Sequence, residues 1–317
     1  MSDSETRILL TGVIGQVGGE LSPLLSSFGS VVAADLPAFD FLDPASVRRF
    51  VRECRPHWIV NPAAYTAVDK AESERDLAYA INAEAPRVLG QVAAELGIPV
   101  IHFSTDYVFN GSGTKPWVET DETGPLGVYG ATKLAGEEAL AATGAAHLIF
   151  RTSWVYGTRG KNFLLTILPL ALQKEELRIV DDQHGAPTWS RDLARMVAHV
   201  MGRISKRCSA SGRSPAEEVR AVQGVYHAVN AGETTWFGFA QEFLRLAAAA
   251  RPGAKIARLV PISSSEYPTP AKRPANSRLD CSRLREVFGF TMPAWQDSSA
   301  AVVSEVLNSE TMTIQKP

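Results

Sequence analysis

The chain has 317 residues, of which 45% are hydrophobic, 21% charged and 8% aromatic. That composition suits a globular enzyme and excludes a collagen, a disordered tail or a membrane bundle. Lys and Arg number 32 against 34 Asp and Glu, a net charge of −2, which argues against a general nucleic-acid binder and leaves room for a local anion pocket.

The polar start, Met1-Ser-Asp-Ser-Glu-Thr-Arg7, lacks the apolar centre of a signal peptide. The longest apolar run, 163–172, is interrupted by Pro169 and falls well short of the roughly 20 residues that span a bilayer. Cys54, Cys208 and Cys281 are far apart, with no CxxC or Cys/His cluster, and read as free thiols in a reducing compartment. The expectation is a soluble, cytoplasmic protein with no membrane or nucleic-acid partner and no structural metal.

Short continuous apolar runs at 8–10, 31–34, 58–60, 100–103 and 147–150 read as strands buried on both faces. Helical patterns lie between them at 16–27, 44–55, 73–96 and 129–142. Asp43 before Pro44 has the chemistry of an N-cap followed by a first-turn proline. Pro62 has no N–H for a ladder, so the third strand is expected to stop by Asn61. Strands alternating with helices predict an α/β fold, a Rossmann-type doubly wound parallel sheet. Beyond Arg151 the pattern loosens, with helices near 162–173, 190–204 and 235–250 and short strands near 177–180, 225–229 and 256–259. The expected division is 1–156 as mainly a dinucleotide-binding domain and 157–317 as mainly a smaller C-terminal α/β substrate lobe, the chain being free to cross back. The stretch 205–222, rich in Ser, Arg and Glu without an apolar period, reads as an exposed insertion.

Directly after the first strand, Gly12, Gly15 and Gly18 are spaced G-x-x-G-x-x-G and open a helix. Glycines there let the backbone approach a pyrophosphate at a helix N-terminus. Asp35 ends the second strand, placed to bind a ribose 2′-hydroxyl and to repel a 2′-phosphate, which tilts an NAD(P)H site towards NADH. Tyr129 and Lys133, four apart on a helix, share one face. A neighbouring Lys ammonium would lower the phenol's pKa from its usual value of about 10. Ser104-Thr105-Asp106 ends the fourth strand, where open α/β sheets place their chemistry.

Taken together, these stretches resemble an extended short-chain dehydrogenase/reductase, and more narrowly the dTDP-4-dehydrorhamnose reductases. The resemblance rests on Gly15-Gln-Val-Gly18, Val68-Asp-Lys-Ala-Glu72, Ser104-Thr-Asp-Tyr-Val-Phe109, Tyr129-Gly-Ala-Thr-Lys133, Phe150-Arg-Thr-Ser-Trp-Val-Tyr156, Asp182-Gln-His-Gly-Ala-Pro-Thr188 and Arg273-Pro-Ala-Asn-Ser-Arg278. It implies hydride transfer from NADH or NADPH to C4 of dTDP-4-dehydro-β-L-rhamnose. Tyr129 would be the proton donor, Lys133 its tuner and a ribose ligand, and Thr105 the orienter of the C4 oxygen. For the cofactor it implies Gly12, Gly15, Gln16, Val17 and Gly18 at the phosphates. Asp35 would meet the adenosine ribose, Asp40 and Phe41 the adenine, and Ala64, Tyr65 and Thr66 would form the loop after the third strand. For the substrate it implies Thr105, Asp106 and Trp154 near the sugar, with Arg273 and Asn276 facing the diphosphate. Trp154 has a lesser alternative as a core residue, Arg273 an equal one as a surface ion pair, and Asp106 reads as either catalytic or only a sugar anchor.

Some relatives join a dimer through Mg²⁺ held by carboxylates. The matching regions here carry Trp189-Ser-Arg191 and Trp295-Gln296, and a hard cation needs oxygen ligands, so that metal site is not expected. A monomer or a homodimer stays open. Two other functions remain. One is a related nucleotide-sugar epimerase or dehydratase, the latter disfavoured because Asp106 is followed by Tyr107 rather than a second carboxylate. The other is a non-catalytic subunit of the kind that regulates methionine adenosyltransferase, disfavoured by the intact Thr105, Tyr129 and Lys133.

Overall fold

The computed structural model describes residues 6–37 and 39–309; the polar start at 1–5 lies outside them. In β1 (Arg7–Thr11), Ile8 and Leu10 point into one apolar core and Leu9 into another. A strand buried on both faces needs helices on both sides, and the following segments supply them. They are α1 (Gln16–Leu25), β2 (Ser30–Ala34), α2 (Pro44–Cys54), β3 (Trp58–Asn61), α3 (Val68–Ala71), α4 (Arg75–Tyr79), α5 (Ala85–Leu96), β4 (Val100–Thr105), α6 (Val128–Ala142) and β5 (His147–Thr152). Asp43 caps α2 by accepting from the Ala45 and Ser46 amides, with Pro44 in the first turn. β3 ends at Asn61, ahead of Pro62. The helix expected over 73–96 is divided by a π-turn at Ala80–Glu84.

The chain continues through β6 (Val155–Tyr156), α7 (Phe163–Gln173), β7 (Glu176–Val180), β8 (His184–Gly185), β9 (Thr188–Trp189), α8 (Ser190–Ser211) and α9 (Pro215–Arg220). It ends with β10 (Gly224–His227), β11 (Thr234–Thr235), α10 (Trp236–Ala250), β12 (Arg258–Ile262), α11 (Ser282–Phe288) and α12 (Trp295–Asn308).

The large sheet has six parallel strands in the order β10-β5-β4-β3-β1-β2. It is a Rossmann-type doubly wound sheet. α1 and α8 pack on one face through Leu21, Leu25, Leu193, Val197 and Val200. α2, α5 and α6 pack on the other through Val47, Val51, Leu89, Val92 and Leu140. The order turns between β1 and β3, and such a switch point opens a crevice beyond the strands' C-terminal ends. A second core joins α7, β7, α10 and α12 through Leu168, Ile179, Phe239, Phe243 and Val302. β12 pairs with β7 as a small separate sheet.

The stretch 205–222 differs from its sequence expectation. Its first part completes α8, and α9 follows with Ala216 and Val219 buried in the large core. The signal was a capping box: the Ser214 hydroxyl accepts from the Glu217 amide while the Glu217 carboxylate accepts from the Ser214 amide, with Pro215 between them. Two apolar residues in a charged run are too few to show a helical period.

Candidate active site

The glycine loop sits where the sheet order turns. Gly12 has φ +60°, the left-handed region where glycine pays no steric penalty. A Cβ on Gly18 would lie 2.0 Å from the Gly12 carbonyl oxygen, so only glycine lets α1 start so close to β1. α1 then presents its N-terminus, with Gly15 as the cap residue, to a cavity of about 710 Å³. Gln16 lines this cavity while its side chain is held at both ends, donating to the Val155 carbonyl and accepting from Asn162 Nδ2 at 3.1 Å. Val17 lies on the same wall.

At one end of the cavity stand Asp35, Asp40 and Phe41. The Asp35 carboxylate accepts from the Gly12 amide at 2.9 Å and the Ile14 amide at 3.3 Å, which ties β2 to the glycine loop. A carboxylate has about four lone-pair sites, so it retains capacity for a ribose hydroxyl. Asp40 accepts from the Leu42 amide and fixes the turn that carries Phe41. Ile14, Leu36 and Leu42 are exposed around this mouth and also line it, a place that sequence reading missed. Among the described residues, Lys133 and Lys161 are the lysines that line the cavity, and no Arg lines it.

Ala64 and Thr66 line the middle of the cavity. Tyr65 does not. Its phenol donates to Glu74 at 2.5 Å, which raises its pKa to about 12, and Asn82 fastens its backbone at both ends. The loop is therefore placed as expected, but the tyrosine ring is committed elsewhere.

At the other end Tyr129 and Lys133 line the cavity together. Burial pushes the Tyr129 phenol up to about 12; the Thr105 hydroxyl pulls it back in part and the Asp106 carboxylate raises it further. This corrects the expectation that Lys133 lowers it. The two residues share a helix face, yet Lys133 Nζ reaches inward, donates to the Phe103 carbonyl at 2.7 Å and has His102 Nε2 at 3.4 Å. Burial in turn drops Lys133 to about 8, with Glu137 opposing the shift. Thr105 Oγ1 donates to Asp106 Oδ1 at 3.1 Å and accepts from the Tyr107 amide. Burial raises Asp106 from 3.8 to about 6, against the pull of the Ser277 and Thr105 hydroxyls, and its Oδ2 is buried without a partner. Ser104 Oγ and Thr152 Oγ1, on neighbouring strand ends, are also buried, unpartnered and part of the cavity wall. Orphaned hydroxyls in a cleft of this kind are what a bound amide or ribose would satisfy.

The substrate candidates divide. Trp154 has φ +48° and stacks on Trp236, ring centroids 3.8 Å apart, neither fully buried. Trp236, which donates to Gln183 Oε1, was not foreseen because nothing local marks it. Arg273 Nη2 donates to Asp69 Oδ2, and its buried Nη1 lacks a partner, an arrangement suited to an incoming oxyanion. Asn276 does not face a ligand. It is 2% exposed, its amide group donates to the Ser112 and Lys115 carbonyls, and its oxygen accepts from the Arg278 amide. It staples the loop before Trp117 instead.

Among the described residues no three His, Cys, Asp or Glu side chains gather as metal ligands. At the Trp189-Ser-Arg191 segment, Arg191 bridges Glu20, at 2.8 Å, and Glu305, at 2.9 Å. Also among the described residues, no helix is long and apolar enough to cross a membrane.

The family described as the RmlD substrate binding domain matches residues 6–308. A dTDP-4-dehydrorhamnose reductase of Burkholderia thailandensis is 44% identical over 305 residues, 95% of this chain and 99% of that protein. A solved dTDP-4-dehydrorhamnose reductase from Clostridium acetobutylicum superposes with a TM-score of 0.85 at 35% identity, covering 95% of this chain and 100% of the other. One from Bacillus anthracis, solved in complex with NADP, superposes with a TM-score of 0.83 at 33% identity, covering 95% and 99%.

Proposed function

The chain belongs to the dTDP-4-dehydrorhamnose reductase family, and from that premise we infer that it reduces C4 of dTDP-4-dehydro-β-L-rhamnose with NAD(P)H to give dTDP-β-L-rhamnose, the last step of dTDP-rhamnose synthesis. The observation that carries the reading is the convergence of the glycine loop, Tyr129 and Lys133 on one cavity that a dinucleotide would fill.

The residues fit the cofactor. Gly18 leaves room for close backbone approach, the N-terminus of α1 would take the pyrophosphate, Asp35 and Asp40 would hold the adenosine, and Lys133, on the same cavity, would bond the nicotinamide ribose. When bound, the cofactor supplies the hydride. Two carboxylates at the adenosine end support NADH over NADPH on electrostatic grounds.

Tyr129 holds its proton at neutral pH, since its phenol is raised to about 12, and an acid that must donate needs that proton present. Thr105 orients the C4 oxygen beside it. Lys133 acts through the ribose rather than by touching the phenol, because its Nζ is held on β4. Asp106, with one unpartnered oxygen, anchors a sugar hydroxyl. Trp154 and Trp236 together give an apolar face for the 6-deoxy sugar. Arg273 takes a diphosphate oxygen. Thr105, Asp106 and Trp154 of 1–156 and Trp236 and Arg273 of 157–317 share these substrate contacts, while 1–156 supplies most of the cofactor contacts. The protein works in the cytoplasm as a monomer or homodimer, with no nucleic-acid or membrane partner.

The test is NADH or NADPH oxidation in the presence of dTDP-4-dehydro-β-L-rhamnose made in situ. Substrate-dependent loss of absorbance at a rate proportional to enzyme is expected. No loss with either cofactor rejects the reading.

A further inference from the structure

Thr11, Asn61 and His102 form a polar line across three neighbouring strands of the sheet. They sit side by side on β1, β3 and β4: Leu10 opposes Val60 one step earlier, and Asn61 opposes His102. None is more than 1% exposed. Thr11 Oγ1 is 2.6 Å from Asn61 Oδ1, the Asn61 amide nitrogen is 3.0 Å from His102 Nδ1, and His102 Nε2 is 3.4 Å from Lys133 Nζ. The Ala63 amide, at the cavity wall, donates to Thr11 Oγ1 at 3.4 Å. Strand interiors buried on both faces are normally Val, Ile or Leu. Three polar side chains there cost stability unless each is bonded. The line ends on a residue of the active site.

A Lys ammonium has three donors and no acceptor. One goes to the Phe103 carbonyl. We propose that His102 is a positioning residue that takes the second, holding Nζ against β4 so that the third faces the cofactor cavity, with Asn61 and Thr11 fixing the ring that does so. The inference rests on Lys133 serving the cofactor, as proposed above.

The chemistry of the line fits this role. His102 is held neutral, well below its usual pKa, by burial first and by the Lys133 charge next, so it is an acceptor. For Nε2 to accept, Nδ1 must carry the ring proton, and the Asn61 amide must turn from the orientation in the structure, oxygen on Thr11 and nitrogen on Nδ1, so that its oxygen takes that proton. When Lys133 is neutral the roles reverse: Nε2–H faces the amine and the amide N–H faces Nδ1. The Thr11 hydroxyl serves either amide orientation because it both donates and accepts. The other titratable groups bearing on the pair are Glu137 on α6, which raises Lys133, and His147 on β5, which lowers His102.

The experiment measures NADH binding to the apoenzyme by fluorescence from pH 6 to 10, and kcat over the same range. A buried ammonium that loses an acceptor gives up its proton more readily. In His102→Leu the basic limb of both profiles should move down by about one pH unit, so that NADH binds roughly fivefold more weakly at pH 8 and about tenfold more weakly at pH 10. His102→Gln, which keeps an acceptor, should stay within about twofold of wild type. Asn61→Ser is the milder second variant and should move the limb in the same direction. A folded His102→Leu, or Asn61→Ser should His102→Leu not fold, with the wild-type limb overturns the proposal. His102→Gln behaving like His102→Leu also overturns it, because the effect would then be packing. Lys133→Met separates the two readings: if it keeps the wild-type basic limb, the assignment of Lys133 to the cofactor fails instead.

Discussion

Arg273 donates through Nη2 to Asp69 at 2.7 Å while its buried Nη1 has no partner. Asp69 thus aims a half-used guanidinium from late in the chain at the region beside Tyr107, whose phenol the same arginine pulls down against the effect of burial. A charge-assisted bond to a phosphate oxygen is worth about 1.5–3 kcal/mol. Arg273→Ala should raise KM for the dTDP-sugar by about 10–100-fold and leave KM for NADH unchanged. Arg273→Lys should recover only part of this, because the planar fork is lost. Steady-state kinetics with each substrate varied decides it. An unchanged sugar KM removes Arg273 from the site.

Tyr129→Phe deletes the proton that the ring holds in its high-pKa state. Such acid catalysis is worth about 10²–10⁴-fold. kcat should fall by that range while NADH binding, followed by fluorescence, stays near wild type. Turnover close to wild type would take the phenol out of the mechanism.

Asp106 predicts a stability that depends on pH in an unusual direction. Its folded pKa of about 6 lies above the ordinary 3.8, so the folded protein binds the extra proton between those values. The contribution to stability is present below about 4 and lost as pH rises through about 6. At pH 8 the buried charge costs up to about 3 kcal/mol, from roughly two pKa units. Asp106→Asn should therefore stabilise the apoprotein to urea at pH 8, show little effect at pH 4, and lower kcat/KM. Equal effects at both pH values would contradict the burial argument.

Glu137 and Arg151, each 4% exposed, join α6, the helix of Tyr129, to β5 with bonds of 2.7 and 2.9 Å. Removing one partner leaves a buried charge alone, at a cost of about 3–5 kcal/mol. Glu137→Ala should lower the urea midpoint accordingly, and Glu137→Leu with Arg151→Met should restore much of it. Additive losses in the double variant would count against a coupled pair.

Gly18→Ala places a methyl group 2.0 Å from the Gly12 carbonyl oxygen, a backbone atom that cannot step aside alone. Loss of NADH binding by at least about tenfold is expected, since the loop must open by more than a contact radius. Isothermal titration of the folded variant is the check.

The central sheet was readable because parallel strands are continuous apolar runs, and 8–10, 58–60 and 148–150 carry nothing else. The cavity walls at Gly12 and Asp35 were readable because each directly follows a strand, and those at Tyr129 and Lys133 because the two stand four apart on one helix. What escaped was set by long-range packing. Nothing local tells that Asn276 spends its amide on Lys115, that Tyr65 turns to Glu74, or that Trp236 meets Trp154. The Tyr129–Lys133 spacing was read correctly as one helix face, but the direction of the lysine stem depends on a carbonyl of β4. The polar line through His102 was hidden for the same reason, since its members are distant in sequence and adjacent only by register.

The outermost strand of the large sheet, β10, is drawn from beyond α9 and pairs with β5. All six residues of β5 are buried. A fragment ending at 156 would contain the glycine loop, Tyr129 and Lys133, yet would expose β5 as a long apolar edge, the kind that recruits other chains. The cofactor-binding half is thus not a detachable module: it should aggregate when expressed alone, and synthesis must run past residue 227 before its sheet is closed.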